Sequence, residues 1–183
     1  MKTIIYYFTG TGNSLAAAKE IAAALIDCEL VPIASLSKTS GDIVPEADRV
    51  GIVCPVYFAG LPSMVASFAG RLDLRKTGYT FSVVTFGGSG DSSALRQLDG
   101  ILKRRSGRGL DAGFGVKMPG NYVLMYEPPT GTKQEHMLAG AKGELAEIAR
   151  EVRENRKQDL PRSFLIQAIH SLMYPRFIAG VHE

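Results

Sequence analysis

Six consecutive residues, Thr9-Gly10-Thr11-Gly12-Asn13-Ser14, carry three hydroxyls, one amide and two glycines, and no charge. That set suits an anion. Hydroxyls and the amide donate, and Gly10 and Gly12 let the backbone come close to the bound group. What the stretch lacks narrows the ligand. A triphosphate loop needs Gly-x-x-x-x-Gly-Lys-Ser/Thr, and the first lysine after these residues is Lys19. A dinucleotide turn needs Gly or Ala at its third fixed position, where Leu15 stands. Neutral donors without a fixed cation fit a phosphate monoester.

Such a loop works only if neighbouring elements aim it. Ile4-Ile5-Tyr6-Tyr7-Phe8 in front of it reads as a buried strand, and the alanine-rich residues 15–25 behind it read as a helix. The loop therefore falls at a helix start, where unpaired N–H groups and the helix dipole favour negative charge.

Further along, residues 30–36 predict a second strand, with Pro32 pointing to a sheet edge. A polar loop over 37–48 precedes the apolar run Arg49-Val50-Gly51-Ile52-Val53-Cys54, a strand covered on both faces. A helix from Pro62-Ser63 to about residue 72, a strand over 79–86, a helix over 92–105 and a strand over 110–118 follow. After a loop over 120–131, Thr132 and Glu135 fit a capping box. Leu138, Ala141, Leu145, Ile148 and Val152 then mark one apolar helix face. Strands alternating with helices five times imply a doubly wound parallel α/β sheet.

In such a sheet ligands bind beyond the carboxyl ends of the strands, where the strand order reverses. Four stretches reach that edge: residues 9–14, Pro55-Val56-Tyr57-Phe58-Ala59-Gly60-Leu61-Pro62, Thr85-Phe86-Gly87-Gly88-Ser89-Gly90-Asp91, and Met118-Pro119-Gly120-Asn121-Tyr122. Together they describe a ligand with a phosphate at one end and a flat aromatic system at the other. Tyr57 and Phe58 offer stacking area, and Gly87 and Gly88 let backbone groups approach a ring's polar edge.

The first, second and fourth of these stretches resemble the flavodoxin family. Thr9 to Ser14 is similar to its phosphate loop for flavin mononucleotide (FMN), and the set of motifs is similar to the flavodoxin half of prokaryotic flavodoxin–ferredoxin fusion proteins. The resemblance implies a five-stranded sheet of order 2-1-3-4-5, FMN as cofactor and electron transfer as function. It places Thr9, Gly10, Thr11, Gly12, Asn13 and Ser14 at the phosphate. Pro55, Val56, Tyr57, Phe58, Gly60, Thr85, Phe86, Gly87, Gly88, Asn121 and Tyr122 fall near the ring, with Tyr57, Phe58 and Tyr122 as walls. It further implies a redox partner protein or a ferredoxin module. An NAD(P)H-dependent FMN or quinone reductase is the alternative of the same chemistry; an interaction domain without catalysis is the alternative of another class.

Composition sets the remaining bounds. At 183 residues, 45% apolar and 21% charged, the chain suits one globular domain over 1–160 with an apolar helical tail over 161–183. That tail is expected to dock, to dimerise or to lead into an iron–sulfur module. Cys28 and Cys54 lie far apart, and His136, His170 and His182 are scattered, so no metal-ligand spacing occurs. No leader or membrane span is expected, and a reduced, cytoplasmic setting follows. The net charge of +3 excludes the concentrated basic face of a nucleic-acid binder. Lys103, Arg104, Arg105 and Arg108 read instead as a solvated helix end. Typical flavodoxins are strongly acidic, and this chain departs from them.

Overall fold

The computed structural model describes residues 1–120 and 127–160. Five strands, β1 (Thr3–Tyr7), β2 (Cys28–Pro32), β3 (Arg49–Pro55), β4 (Tyr79–Phe86) and β5 (Ala112–Lys117), form one parallel sheet of order β2-β1-β3-β4-β5. The expected doubly wound 2-1-3-4-5 sheet is thus present. β3 and β4 are buried along almost their whole length, as their unbroken apolar runs required of central strands. β2 is the edge strand that Pro32 pointed to, and none of its residues is fully buried.

Helices α1 (Asn13–Ala23) and α4 (Gly131–Arg153) cover one face of the sheet. Ala17, Ala18 and Ile21 of α1 join Ala141, Leu145, Ile148, Ala149 and Val152 of α4 over Ile5, Val53, Phe81, Val83 and Val116. Helices α2 (Ser63–Ala69) and α3 (Asp91–Ser106) cover the other face, where Val65, Phe68, Leu95, Leu98 and Leu102 pack over Ile4, Ile52, Cys54 and Val84. Small alanines on α1 bring that helix close to the sheet, which seats the loop in front of it at the end of β1.

Several expected boundaries move. α1 begins two residues early, because Gly12 already adopts a left-handed conformation (φ 98°) as its N-cap and the helix follows directly. The strand expected over 30–36 ends at Pro32, and Ile33–Leu36 form a 3₁₀ turn. Ser35 and Ser37 explain the turn, since each hydroxyl donates to the carbonyl three residues back, Pro32 and Ala34, at 2.7 and 2.8 Å. No α-helix therefore links β2 to β3, and the expected fivefold alternation holds four α-helices among the described residues. Arg71 anchors the connection instead, donating to the carbonyls of Leu36 and Gly41 and to the Thr39 hydroxyl.

The capping box is also corrected. α4 starts at Gly131 behind an extended Thr130 with no side-chain cap, so Thr132 and Glu135 lie inside the helix rather than across its end. At the far end of α3, Lys103 pairs with Asp99, Arg105 with Asp42 and Arg108 with Asp111. The basic run is a paired helix terminus, in keeping with its solvated reading. Among the described residues, no helix is long and apolar enough to cross a membrane, and no group of His, Cys, Asp and Glu is placed to hold a metal ion. The apolar tail over 161–183 lies outside the described residues.

Candidate functional site

The strand order reverses beside β1, with β2 on one side and β3 on the other, and the loop over 9–14 opens at that point. Left-handed Gly12 turns the chain into α1. The N–H groups of Asn13, Ser14 and Leu15 then have no backbone acceptor among the described residues. The Gly12 N–H donates to the Thr9 hydroxyl oxygen at 3.0 Å, which closes the loop on itself. Gly10, Thr11 and Gly12 are exposed, and the Thr11 hydroxyl has no hydrogen-bond partner among the described residues. The result is a neutral cradle of N–H and O–H donors at the positive end of a helix dipole.

Two side chains of the loop also tie it to its neighbours. The Ser14 hydroxyl is buried and hydrogen-bonds the hydroxyl of Thr85, at the end of β4, at 2.8 Å. The Asn13 amide donates to the Pro119 carbonyl, just beyond β5, at 3.0 Å. Their role at this edge is to hold the phosphate loop in register with the third and fourth loops, over 71 and 106 residues of separation in the chain. Net hydrogen bonds of this kind contribute about 1 kcal/mol each, and more is lost when a buried partner is stranded.

The second loop is a tight turn. Tyr57 and Gly60 exchange both backbone hydrogen bonds at 2.9 Å, and Phe58 and Ala59 between them sit at φ 49° and 58°. Left-handed backbone at two adjacent non-glycine residues is strained, by roughly 1–2 kcal/mol each. Three contacts hold it. The Val56 N–H donates to Thr85, the Leu61 N–H donates to the Gln97 side chain at 2.8 Å, and Gly90 abuts Ala59. A Cβ on Gly90 would lie 2.5 Å from the Ala59 Cα, and its own φ is 107°, so only glycine fits. Both carbonyl and N–H of buried Gly60 are engaged inside the turn, so Gly60 supports the tip and does not itself present backbone groups.

At the tip, Tyr57 and Phe58 remain 40% and 38% exposed, more than is usual for large aromatic groups. Pro55 and Val56 are half-buried beneath them. Tyr57 stands edge-on to Phe8, with ring centroids 6.4 Å apart, and its hydroxyl reaches Gly10. Desolvation, with a smaller contribution from the Cys54 thiol, pushes the Tyr57 hydroxyl further above its ordinary range. Cys54 itself is fully buried, and burial pushes its thiol up to about 12, so it is an inert core group. In the third loop, Phe86 and Gly87 are half-buried and Gly88 is exposed with open space around it. Asn121 and Tyr122 lie outside the described residues.

Sequence reasoning placed Ala59, Gly90 and Pro119 in the loops at this edge without giving them roles, and it missed Gln97. Ala59 gave no signal, because a strained alanine looks like any other. Gln97 and Pro119 act from a helix and a loop distant in the chain. Gly90 was legible in principle, as a glycine directly before a helix start.

A doubly wound parallel sheet with an uncharged loop at its switch point defines the class of the protein as an open α/β fold. The flavodoxin family model matches residues 5–158, and the chain belongs to that family. No curated protein matches. Among solved structures, the chain is similar to the Fusobacterium nucleatum flavodoxin bound to flavin mononucleotide, at 14% identity and a TM-score of 0.56, covering 86% of this chain and all of that one. It is also similar to a Lactobacillus acidophilus flavoprotein in complex with FMN, at 14% identity and a TM-score of 0.51, covering 62% of this chain and 92% of that one. Smu.1420 from Streptococcus mutans matches at 11% identity and a TM-score of 0.51, over 84% of this chain and 100% of that one. At these identities the likeness is one of fold.

Proposed function

We propose that this protein is an FMN-binding electron carrier that exchanges electrons with an iron–sulfur partner, as a separate protein or a linked module. The observation that carries the reading is the joining of the neutral phosphate loop to the ring-side loops, through Ser14–Thr85 and Asn13–Pro119. One end of a ligand is thereby fixed relative to the other. The residues present fit FMN: unpaired N–H groups of Asn13, Ser14 and Leu15 and the hydroxyls of Thr9 and Thr11 suit its phosphate. Phe58 and the loop at Gly87 and Gly88 suit its ring. When bound, the flavin supplies the electron chemistry; the protein binds it, orients it and tunes its surroundings. No side chain here is assigned a proton-transfer role, which suits a carrier more than a hydrolase.

The decisive experiment is purification followed by reconstitution with FMN, read by flavin absorbance and by quenching of flavin fluorescence. Stoichiometric binding is expected; no bound flavin and no titratable binding would end the proposal. The exposed aromatic tip favours one competitor, a reductase that stacks a nicotinamide over the flavin. Rapid bleaching of the bound flavin by NADPH or NADH would select that reading, and its absence the carrier. The division into a domain over 1–160 and a docking tail over 161–183 belongs to the same proposal, and a chain ended after residue 160 should still bind FMN.

A further inference from the structure

The second loop invites the assignment of both its aromatic rings as walls for a flavin. The geometry separates them. A Cβ built on Gly10 would meet the Tyr57 hydroxyl oxygen at 2.5 Å, while the ring carbon that carries the oxygen would be 3.9 Å away. Tyr57 therefore reaches across to the phosphate loop and touches it with its polar tip alone. Its ring is fixed in that direction, edge-on to Phe8, the residue immediately before the loop. Its backbone is fixed as well, by the reciprocal bonds with Gly60. The hydroxyl has no hydrogen-bond partner among the described residues, and the side chain is part-exposed, so a solvent-accessible donor stands beside the anion cradle.

We propose that Tyr57 selects for the phosphate of the flavin nucleotide, its hydroxyl completing the ring of neutral donors around the loop, and that ring stacking on this side falls to Phe58. The inference rests on the FMN reading above and deepens it. Its chemistry is that of the loop itself. With no lysine or arginine in residues 9–14, each oxygen of a phosphate must be met by N–H or O–H groups, and a tyrosine is a neutral donor of the right reach. A tyrosine hydroxyl keeps its proton at neutral pH, and burial moves this one further from ionisation. A hydrogen bond to a charged group is the stronger kind, so its loss is read as roughly a 10- to 100-fold change in affinity. Gly10 acquires a second reason for being glycine, since any side chain there would displace the hydroxyl.

Paired titrations with FMN and riboflavin, which lacks the phosphate, test this by fluorescence quenching. Tyr57→Phe should weaken FMN by about tenfold or more and leave riboflavin unchanged. Equal losses for both ligands, or no loss for either, would overturn the proposal while leaving FMN binding intact. Wild-type protein that binds no FMN would overturn it together with the reading beneath it. A second pair of variants tests the placement. Gly10→Ala should weaken FMN in the wild-type background and cost much less in Tyr57→Phe, where the next atom is at ordinary contact distance. Additive losses in the double variant would place the hydroxyl elsewhere and also overturn the proposal.

Discussion

At the carboxyl ends of the strands, loops meet through neutral groups: hydroxyl to hydroxyl at Ser14–Thr85, amide to carbonyl at Asn13–Pro119, N–H to amide at Leu61–Gln97. At the amino ends, the same job is done by charge. Arg49, 6% exposed at the start of β3, donates to Asn155 at 2.6 Å and to the Arg153 carbonyl at the end of α4 at 2.7 Å. Arg71 clamps three acceptors, Arg75 grips Asp73, and Asp111 gathers Arg108 and Lys157. None of the ion pairs among the described residues involves residues 9–14, 55–62, 85–91 or 118–120. An anion site gains from this arrangement. A cation paired to a carboxylate would not be available to the phosphate, and the one carboxylate in these stretches, Asp91 in the first turn of α3, carries no ion pair among the described residues. The charged end uses Coulomb attraction and helix-end dipoles to close the domain.

The sharpest way to break the comparison is at Gly90, where Gly90→Ala drives a side chain into Ala59 at a left-handed φ. Strain of about 2 kcal/mol corresponds to roughly a 30-fold loss of FMN affinity, measurable by titration, with the fold retained by circular dichroism. At the opposite end, Arg49→Met should lower stability by about 1–2 kcal/mol in urea unfolding, because it removes the part-buried bonds to the Asn155 side chain and the Arg153 carbonyl. FMN affinity of the folded variant should not move. A loss of FMN affinity comparable to that at Gly90 would contradict the division of labour between the two ends.

A change in pH should separate the ends further. The Arg75 guanidinium, hydrogen-bonded to Asp73, holds that carboxyl well below its usual range. A depressed carboxyl stabilises the fold above its unfolded value of about 4, and that contribution fades as pH falls through the folded value. Asp73→Asn should therefore flatten the acid limb of stability against pH. Cys54 behaves oppositely. Burial raises it to about 12, so its contribution is complete below an unfolded value of about 8.5 and is lost as pH rises toward about 12. Cys54→Ala should flatten the alkaline limb instead, in the same urea series. The smallest effect expected is that of salt. Exposed ion pairs contribute about 0–1 kcal/mol and are screened, so moderate salt should trim stability slightly through the charged end. Raising NaCl from about 0.05 to 0.5 M should change FMN affinity less than about threefold, given no cation in the cradle.

Much of this was legible in the chain. Hydrophobic runs located the central strands β3 and β4 almost to the residue, because a strand buried on both faces has few ways to be written, while the half-exposed edge strand β2 was misplaced by several residues. Helix ends were less legible. Thr132 and Glu135 matched a capping box by type and spacing, yet left-handed Gly131 had already started the helix one residue earlier. The stretch after Pro32 carried strand-like apolar residues, but serine hydroxyls bonding back to nearby carbonyls won locally and made a 3₁₀ turn. Both errors come from short-range competition within about 1 kcal/mol, which composition does not resolve.

The amino-acid sequence alone determined the doubly wound sheet, the switch-point loop and the neutral donor set at residues 9–14, because periodicity and residue chemistry are local properties. Tertiary structure decided which donors stay available. It buried Ser14 against Thr85 and sent Asn13 to Pro119. It also brought Tyr57, 47 positions beyond Gly10 in the chain, within touching distance of it. Contacts across that separation depend on how strands stack side by side and how each loop is braced, and only the assembled sheet specifies both.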